Sequence, residues 1–399
     1  MTRRALFALG VAQCINWGVL YYAFAVLVLP LQVELGRPTW IVTGAFSSAL
    51  LMSAVLAPRV GVWCDSGQGH LVMHVGGVAA ALLLAVWTLV PGVVALYAVW
   101  TGLGFCMAAT LYEPAFVIIG RSYDDPRQRL RALAAVTLFG GLASTVFLPA
   151  TAVLVTAFSW RVAVLILSGV MFASATITRV VVSGASHSRL SARGSSPGGA
   201  IAVEQGTTEP SYFPFIATMF ALATLASAGF TANLVPVLNE HGLSPANAAF
   251  LGGLIGVMQL PGRALLMNGA LAGAPSHLLT FSLTLYATGL LSVAFAPSTA
   301  GAAIGTAVLA LGAGLITLVR PYLVQGMSAD SGGGYLNGRI ARKQQLARAA
   351  GPMVVAWTAG VASYTAVFAA LAGVLIVCGI TWHAMAWKSV ALQGAAHHE

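Results

Sequence analysis

From one end of the chain to the other, apolar runs about eighteen residues long or longer recur with almost no charge inside them. A helix of that length crosses the hydrocarbon core of a bilayer. Charged residues make up only 7% of the chain and apolar residues 58%, against about 25% charge in a soluble domain. So few charges could not cover the surface of a water-soluble fold of this length. A transmembrane β-barrel would need strict alternation of apolar and polar residues, and runs such as 79–90 do not alternate. The chain is expected to be an all-α membrane protein.

Twelve spans are predicted. The first six cover 5–29, 40–57, 71–90, 93–119, 132–157 and 162–182. The second six cover 213–235, 248–267, 277–295, 302–324, 346–362 and 365–387. The first run follows Met1-Thr2-Arg3-Arg4 and stays apolar to Leu29, which reads as a membrane span and not a cleaved leader. Between the two sets lies a polar stretch rich in Ser, Gly and Ala. It is too poor in large apolar residues to bury a core of its own. The predicted organisation is a six-helix bundle over 1–183, a flexible linker over 184–212 and a second six-helix bundle over 213–399.

Net charge is +9, which on a soluble protein would suggest nucleic acid. Its distribution argues otherwise. With the N-terminus inside and the spans alternating, sixteen of the nineteen Lys and Arg fall on the inner side and only Arg37 and Arg161 on the outer. Arg320 falls within a span. This is the bias expected of cytoplasmic loops. Both termini are expected in the cytoplasm of a cell with an inner membrane, and no nucleic-acid partner is implied. Cys14, Cys64, Cys106 and Cys378 have no metal-ligand spacing, so neither a metal nor a cofactor is expected.

The halves repeat one another. Pro30, Glu34 and Gly36 recur as Pro236, Glu240 and Gly242 at an offset of 206. Thr110-Leu111-Tyr112-Glu113-Pro114 recurs as Thr317-Leu318-Val319-Arg320-Pro321 at an offset of 207. Such parallel repeats imply related bundles with a solute site near mid-membrane.

Glu113 and Arg320 are the ionisable side chains, His aside, placed well inside spans. Glu113 stands eight residues before Arg121, about 12 Å into the membrane at helical rise. Buried charges of this kind face a cavity or a partner, and a two-fold relation of the halves would set the two against each other. Three roles fit them: an inner gate, a proton carrier (Glu113) beside an anion-binding group (Arg320), or a structural tie. The adjacent prolines free the carbonyls of Thr110 and Thr317 from helical bonding and predict kinks there.

Polar residues at helical spacing add cavity candidates: Gln13, Asn16, Trp17 and Tyr21 on the first span, Thr224, Ser227 and Thr231 on the seventh, and Thr317 on the tenth. Each has a second reading, as a helix tie or a back-bonded hydroxyl. Arg59, Asp65 and Arg263 stand at the inner face as candidates for ion pairs between helices. His74 and His383 lie near span ends and are weaker proton-relay candidates than Glu113. Gly252 and Gly256 read as close helix packing.

Length, span count, linker and repeat together resemble the major facilitator superfamily over the whole chain. Gly61 and Asp65 fit that family's loop motif after the second span, while Ser66, Gly69 and His70 stand where it has basic residues. The first, fourth, seventh and tenth spans line the cavity in that family. The family's drug–proton antiporters carry an Arg near the position of Trp100 and a Gly-Pro motif in the fifth span, and this chain has neither. Tyr21-Tyr22 followed by Pro30 and Glu34 is more similar to the monocarboxylate-porter and oxalate/formate-exchanger branch. The resemblance implies a secondary transporter for a small organic solute, an anion by preference, with proton coupling as an option and a monomer as the working form. Alternatives are efflux of a toxic compound and a non-transporting membrane sensor. No Gly-x-x-x-x-Gly-Lys-[Ser/Thr] and no His-Glu-x-x-His occurs, so neither ATP-driven transport by this chain alone nor a zinc hydrolase is expected.

Overall fold

The computed structural model describes residues 1–64, 68–89, 91–123, 126–190, 212–267, 275–296, 298–327 and 333–395, and in some of these the backbone alone. The described residues contain helices and no strand. This follows from the solvent: in hydrocarbon a helix satisfies its own backbone, whereas an open strand edge would not.

The helices are α1 (Arg3–Trp17), α2 (Ala23–Leu35), α3 (Thr39–Trp63), α4 (Gly69–Trp87), α5 (Val93–Thr110), α6 (Tyr112–Ser122), α7 (Pro126–Gly141), α8 (Ala143–Ala157) and α9 (Trp160–Leu190) in the first half. The second half has α10 (Phe213–Ala232), α11 (Leu234–Glu240), α12 (Pro245–Gly252), α13 (Leu254–Met267), α14 (Pro275–Ala294), α15 (Thr299–Met327), α16 (Gly333–Val361) and α17 (Tyr364–Ala395). A single π-helical turn, Gly18–Tyr22, joins α1 to α2.

Among the described residues ten stretches are long and apolar enough to cross a membrane. The other two predicted spans are also helical. The stretch 248–267 is divided at Gly253 between α12 and α13, and 346–362 falls in α16, whose earlier turns carry Arg339, Arg342 and Lys343. The helix α9 continues to Leu190, so residues 184–190 at the start of the predicted linker are helical. No proline interrupts this stretch before Pro197. Residues 191–211, the rest of the predicted linker, lie outside the described residues.

Two compact units are present. Unit one comprises Met1–Ala202 together with Thr231–Gly253; unit two comprises Val203–Phe230 and Leu254–Glu399. In unit one α1 packs on α7 and α9, α4 on α9 and α5, and α3 on α5. The short helices α11 and α12 pack on α2 and α8 in the same unit. A Cβ on Gly252 would stand 2.2 Å from Leu234 Cδ2 and 2.8 Å from Leu148 Cδ1, so a larger residue there would make these leucine side chains shift. Thr145 on α8 donates to the Gly253 carbonyl at 2.7 Å. In unit two α14 packs on α15 and α17, and α15 also packs on α13 and α16.

The first repeat has a structural meaning. Gly36 ends α2 in the left-handed region (φ 57°), and Gly242 follows α11 with φ 80°. The matched glycines do the same job: each takes the left-handed turn that stops a helix, a conformation other residues enter at a cost.

Candidate functional site

The second repeat is centred on Pro114, which cannot donate the backbone hydrogen bond that Thr110 would otherwise receive. The helix breaks there. It ends at Thr110, Leu111 is extended (φ −74°, ψ −157°), and α6 restarts at Tyr112. The released Thr110 carbonyl is not left bare. Gln13 Nε2 and Asn16 Nδ2 both donate to it at 2.8 Å, and Gln13 Nε2 also reaches the Leu111 carbonyl at 3.3 Å. Gln13 and Asn16 lie one turn apart on α1 and are buried. Their buried amides replace the donor that proline lacks. In the sequence they stood as cavity candidates; here they tie α1 to the break.

The break frees the next residues to turn. Glu113 lies in the first turn of α6, exposed on unit one, where the partial positive charge of a helix start suits an anion. Among the described residues it makes no hydrogen bond or ion pair. Tyr112 lies with its ring 4.9 Å from that of Trp17 and stacks on Phe116 at 5.3 Å. Trp17 in turn meets Tyr21 edge-on at 5.3 Å. Trp17 is half-buried and Tyr21 buried, so the aromatic residues form a wall running from the break into the π turn. The Thr110 hydroxyl bonds back to Cys106, so this residue contributes its carbonyl and not its hydroxyl.

The π turn was not legible in sequence. At Gly18 a Cβ would stand 2.1 Å from the ring of Phe147 on α8, so the backbone of the turn lies directly on that ring. The extra residue in the turn shifts the helix face between Trp17 and Tyr21, as π-bulges do at functional positions.

Unit two has its own polar centre. Arg320, half-buried on α15, donates from Nη1 to Gln344 Oε1 at 2.5 Å. Gln344 on α16 donates from Nε2 to the Thr224 hydroxyl on α10 at 2.9 Å, and that hydroxyl donates to the Phe220 carbonyl at 2.7 Å. A neutral amide thus positions a guanidinium through a chain anchored on α10. Gln344 was missed because it stands beside Lys343, just before the predicted eleventh span, where it reads as solvated loop. Unlike the break at Pro114, α15 runs unbroken from Thr299 to Met327 through Pro321.

The remaining candidates divide as follows. Ser227 is half-buried and Thr231 is buried, the first in unit two and the second in unit one. Arg59 is exposed near the end of α3. Asp65 lies outside the described residues, as do the side chains of Arg263 and Thr317 and the surroundings of Gly61. Trp100 is 1% exposed and packs against Phe24, Phe46 and Trp87 at ring distances of 4.5, 5.6 and 5.8 Å. Trp100 therefore belongs to an aromatic core.

The chain belongs to a class defined by its long apolar helices and broken inner segments: multi-pass membrane transporters, not enzymes. Residues 6–274 match the family model of the Major Facilitator Superfamily, and the chain is a member of that family of secondary transporters. Its fold is similar to that of a bacterial homologue of the human lysosomal transporter Spinster in an inward-facing, occupied conformation (TM-score 0.71, 13% identity, 96% of each chain covered). It is equally similar to a point mutant of the nucleoside transporter NupG (TM-score 0.71, 14% identity, 96% of this chain and 98% of that one). No curated protein sequence matches it significantly.

Proposed function

We propose that this transporter moves a small organic anion, a carboxylate by preference, across the inner membrane by alternating access, with Arg320 holding the anion and Glu113 carrying a coupling proton. The observation that carries this reading is the way Arg320 is held. Arg320 donates to Gln344, a neutral side chain anchored to Thr224, so this bond helps to orient the guanidinium. A planar, oriented guanidinium suits a carboxylate. The exposed position of Glu113 beside a helix break supports its place in the coupling step.

The two six-helix bundles are proposed as the moving bodies, with both termini cytoplasmic and a monomer as the working form. The packing of α11 and α12 on α2 and α8 is proposed as the closed outer gate. The likeness of the first span to the monocarboxylate-porter and oxalate/formate-exchanger branch points the same way. Drug efflux is the weaker reading, because Trp100 sits in an aromatic core.

A thermal-shift screen of the purified protein tests the solute class. Oxalate, lactate and other carboxylates are expected to raise the melting temperature, and Arg320→Gln is expected to abolish the rise. Stabilisation by cationic drugs, sugars or uridine alone would overturn the anion assignment.

A further inference from the structure

A crevice within unit one takes no part in the solute reading. It lies among α1, α4, α6 and α9, and its polar lining is Asn16, His70, His74, Ser174, Thr178 and Arg179. Among the described residues no carboxylate lines it. It holds about 350 Å³ of empty space counted out to its mouth, and its enclosed part has room for about one water molecule.

Three features give the crevice its chemistry. Arg179 is half-buried, and its Nη1 is enclosed with no hydrogen-bond partner among the described residues. An enclosed cationic N–H without an acceptor is costly, above all at the edge of hydrocarbon. His74 Nδ1 lies 3.2 Å from the Ala175 carbonyl. A carbonyl only accepts, so Nδ1 is the protonated nitrogen and Nε2 is left for other contacts. His70, one turn before His74 on α4, adds a second imidazole to the wall.

Position then selects the ligand. The charged and imidazole lining residues come from the early turns of α4 and the late turns of α9, with Ile118 from the late part of α6 and Leu9, Ala12 and Asn16 from the middle and last turns of α1. The turns of α4, α6 and α9 lie toward the side where the sequence concentrates its Lys and Arg. The helices α4 and α9 also expose apolar side chains outward, Val75 and Leu82 on one, Phe172, Ile177 and Val180 on the other. The crevice therefore opens between two lipid-facing helices at the depth where acyl chains meet headgroups. The anion abundant at that depth is the phosphodiester of a phospholipid, and basic pockets between helices on the cytoplasmic side select anionic lipids.

We infer that this crevice binds the phosphate of an anionic phospholipid. The phosphate takes the Arg179 guanidinium as its donor, the histidines flank it, and the acyl chains lie along α4 and α9.

Binding to the purified full-length protein in detergent, followed by native mass spectrometry and by thermal shift, tests this. Phosphatidylglycerol is expected to bind and stabilise the wild type, and phosphatidylcholine to do neither. Arg179→Gln is expected to weaken phosphatidylglycerol binding about tenfold, the loss of one charge-assisted hydrogen bond, and Arg179→Lys to keep most of it. Inorganic phosphate at millimolar concentration is expected to give little stabilisation, because it lacks the acyl contacts. Equal binding of phosphatidylcholine by the wild type would overturn the inference, even if Arg179→Gln failed to fold. So would undiminished phosphatidylglycerol binding by Arg179→Gln, or stabilisation by inorganic phosphate with none by phosphatidylglycerol.

Discussion

Asn16 donates its side-chain amide to the Thr110 carbonyl at 2.8 Å, and that carbonyl is the one that Pro114 deprives of its helical donor. The two residues are 94 positions apart in the chain. Together with Gln13 they convert a proline kink into a full break between α5 and α6, with Glu113 at the new helix start.

Removing these donors exposes what they contribute. Asn16→Ala or Gln13→Ala is expected to destabilise the protein by about 1–3 kcal/mol, the cost of leaving a buried polar group underserved. The double variant should lose more than the sum of the two, because either amide alone still serves the shared carbonyl and only the double variant leaves it bare. Thermal unfolding in detergent measures both. Additive losses would show that the two amides do not act on the same carbonyl.

Pro114→Ala restores the missing donor and should close the break. The expected outcome is a protein as stable as wild type or slightly more so, with transport reduced severalfold because Glu113 is then held in continuous helix. Flux at the wild-type rate would remove the break from the mechanism.

In unit two, Gln344→Ala should act through Arg320. It removes the oxygen that orients the guanidinium and leaves the charge in place. Apparent solute affinity is expected to fall about tenfold, with stability less affected than in Arg320→Ala. Binding titrations by thermal shift would read this. Unchanged affinity in Gln344→Ala would reduce the chain from Thr224 to Arg320 to a packing feature.

Glu34 and Arg161 form a bidentate pair at 2.6 Å, and the Trp160 indole donates to the same carboxylate at 2.7 Å. Both partners are well exposed, so Arg161→Ala is expected to cost no more than about 1 kcal/mol. The cost should shrink further in high salt. A loss of several kcal/mol, or one indifferent to salt, would contradict this.

How much of this was legible depended on distance along the chain. Pro114 announced the loss of a hydrogen bond at Thr110 because that relation spans one helical turn and follows from proline's chemistry. The repeated Gly36 and Gly242 were visible as a match, and their left-handed conformations explain why the match exists. The identity of the donors to Thr110 was not legible, since it depends on how α1 packs at the break. Nor was the π turn at Gly18–Tyr22, which depends on Phe147 lying against it. Pro321 shows the limit of arguing by repeat: the same residue in the matched position sits in an unbroken helix. Gln344 was hidden by its charged neighbours, and Glu34 read only as part of a repeat, because its partner Arg161 lies 127 residues away.

Uptake of a radiolabelled carboxylate, chosen as the strongest stabiliser in the thermal-shift screen, into proteoliposomes with an imposed pH gradient tests the coupled-anion mechanism most directly. Wild type is expected to accumulate the anion with the gradient and to stop when the gradient is collapsed. Glu113→Gln is expected to lose accumulation while still exchanging labelled for unlabelled anion. Gradient-driven accumulation by Glu113→Gln at the wild-type rate, or no accumulation by the wild type, would contradict it.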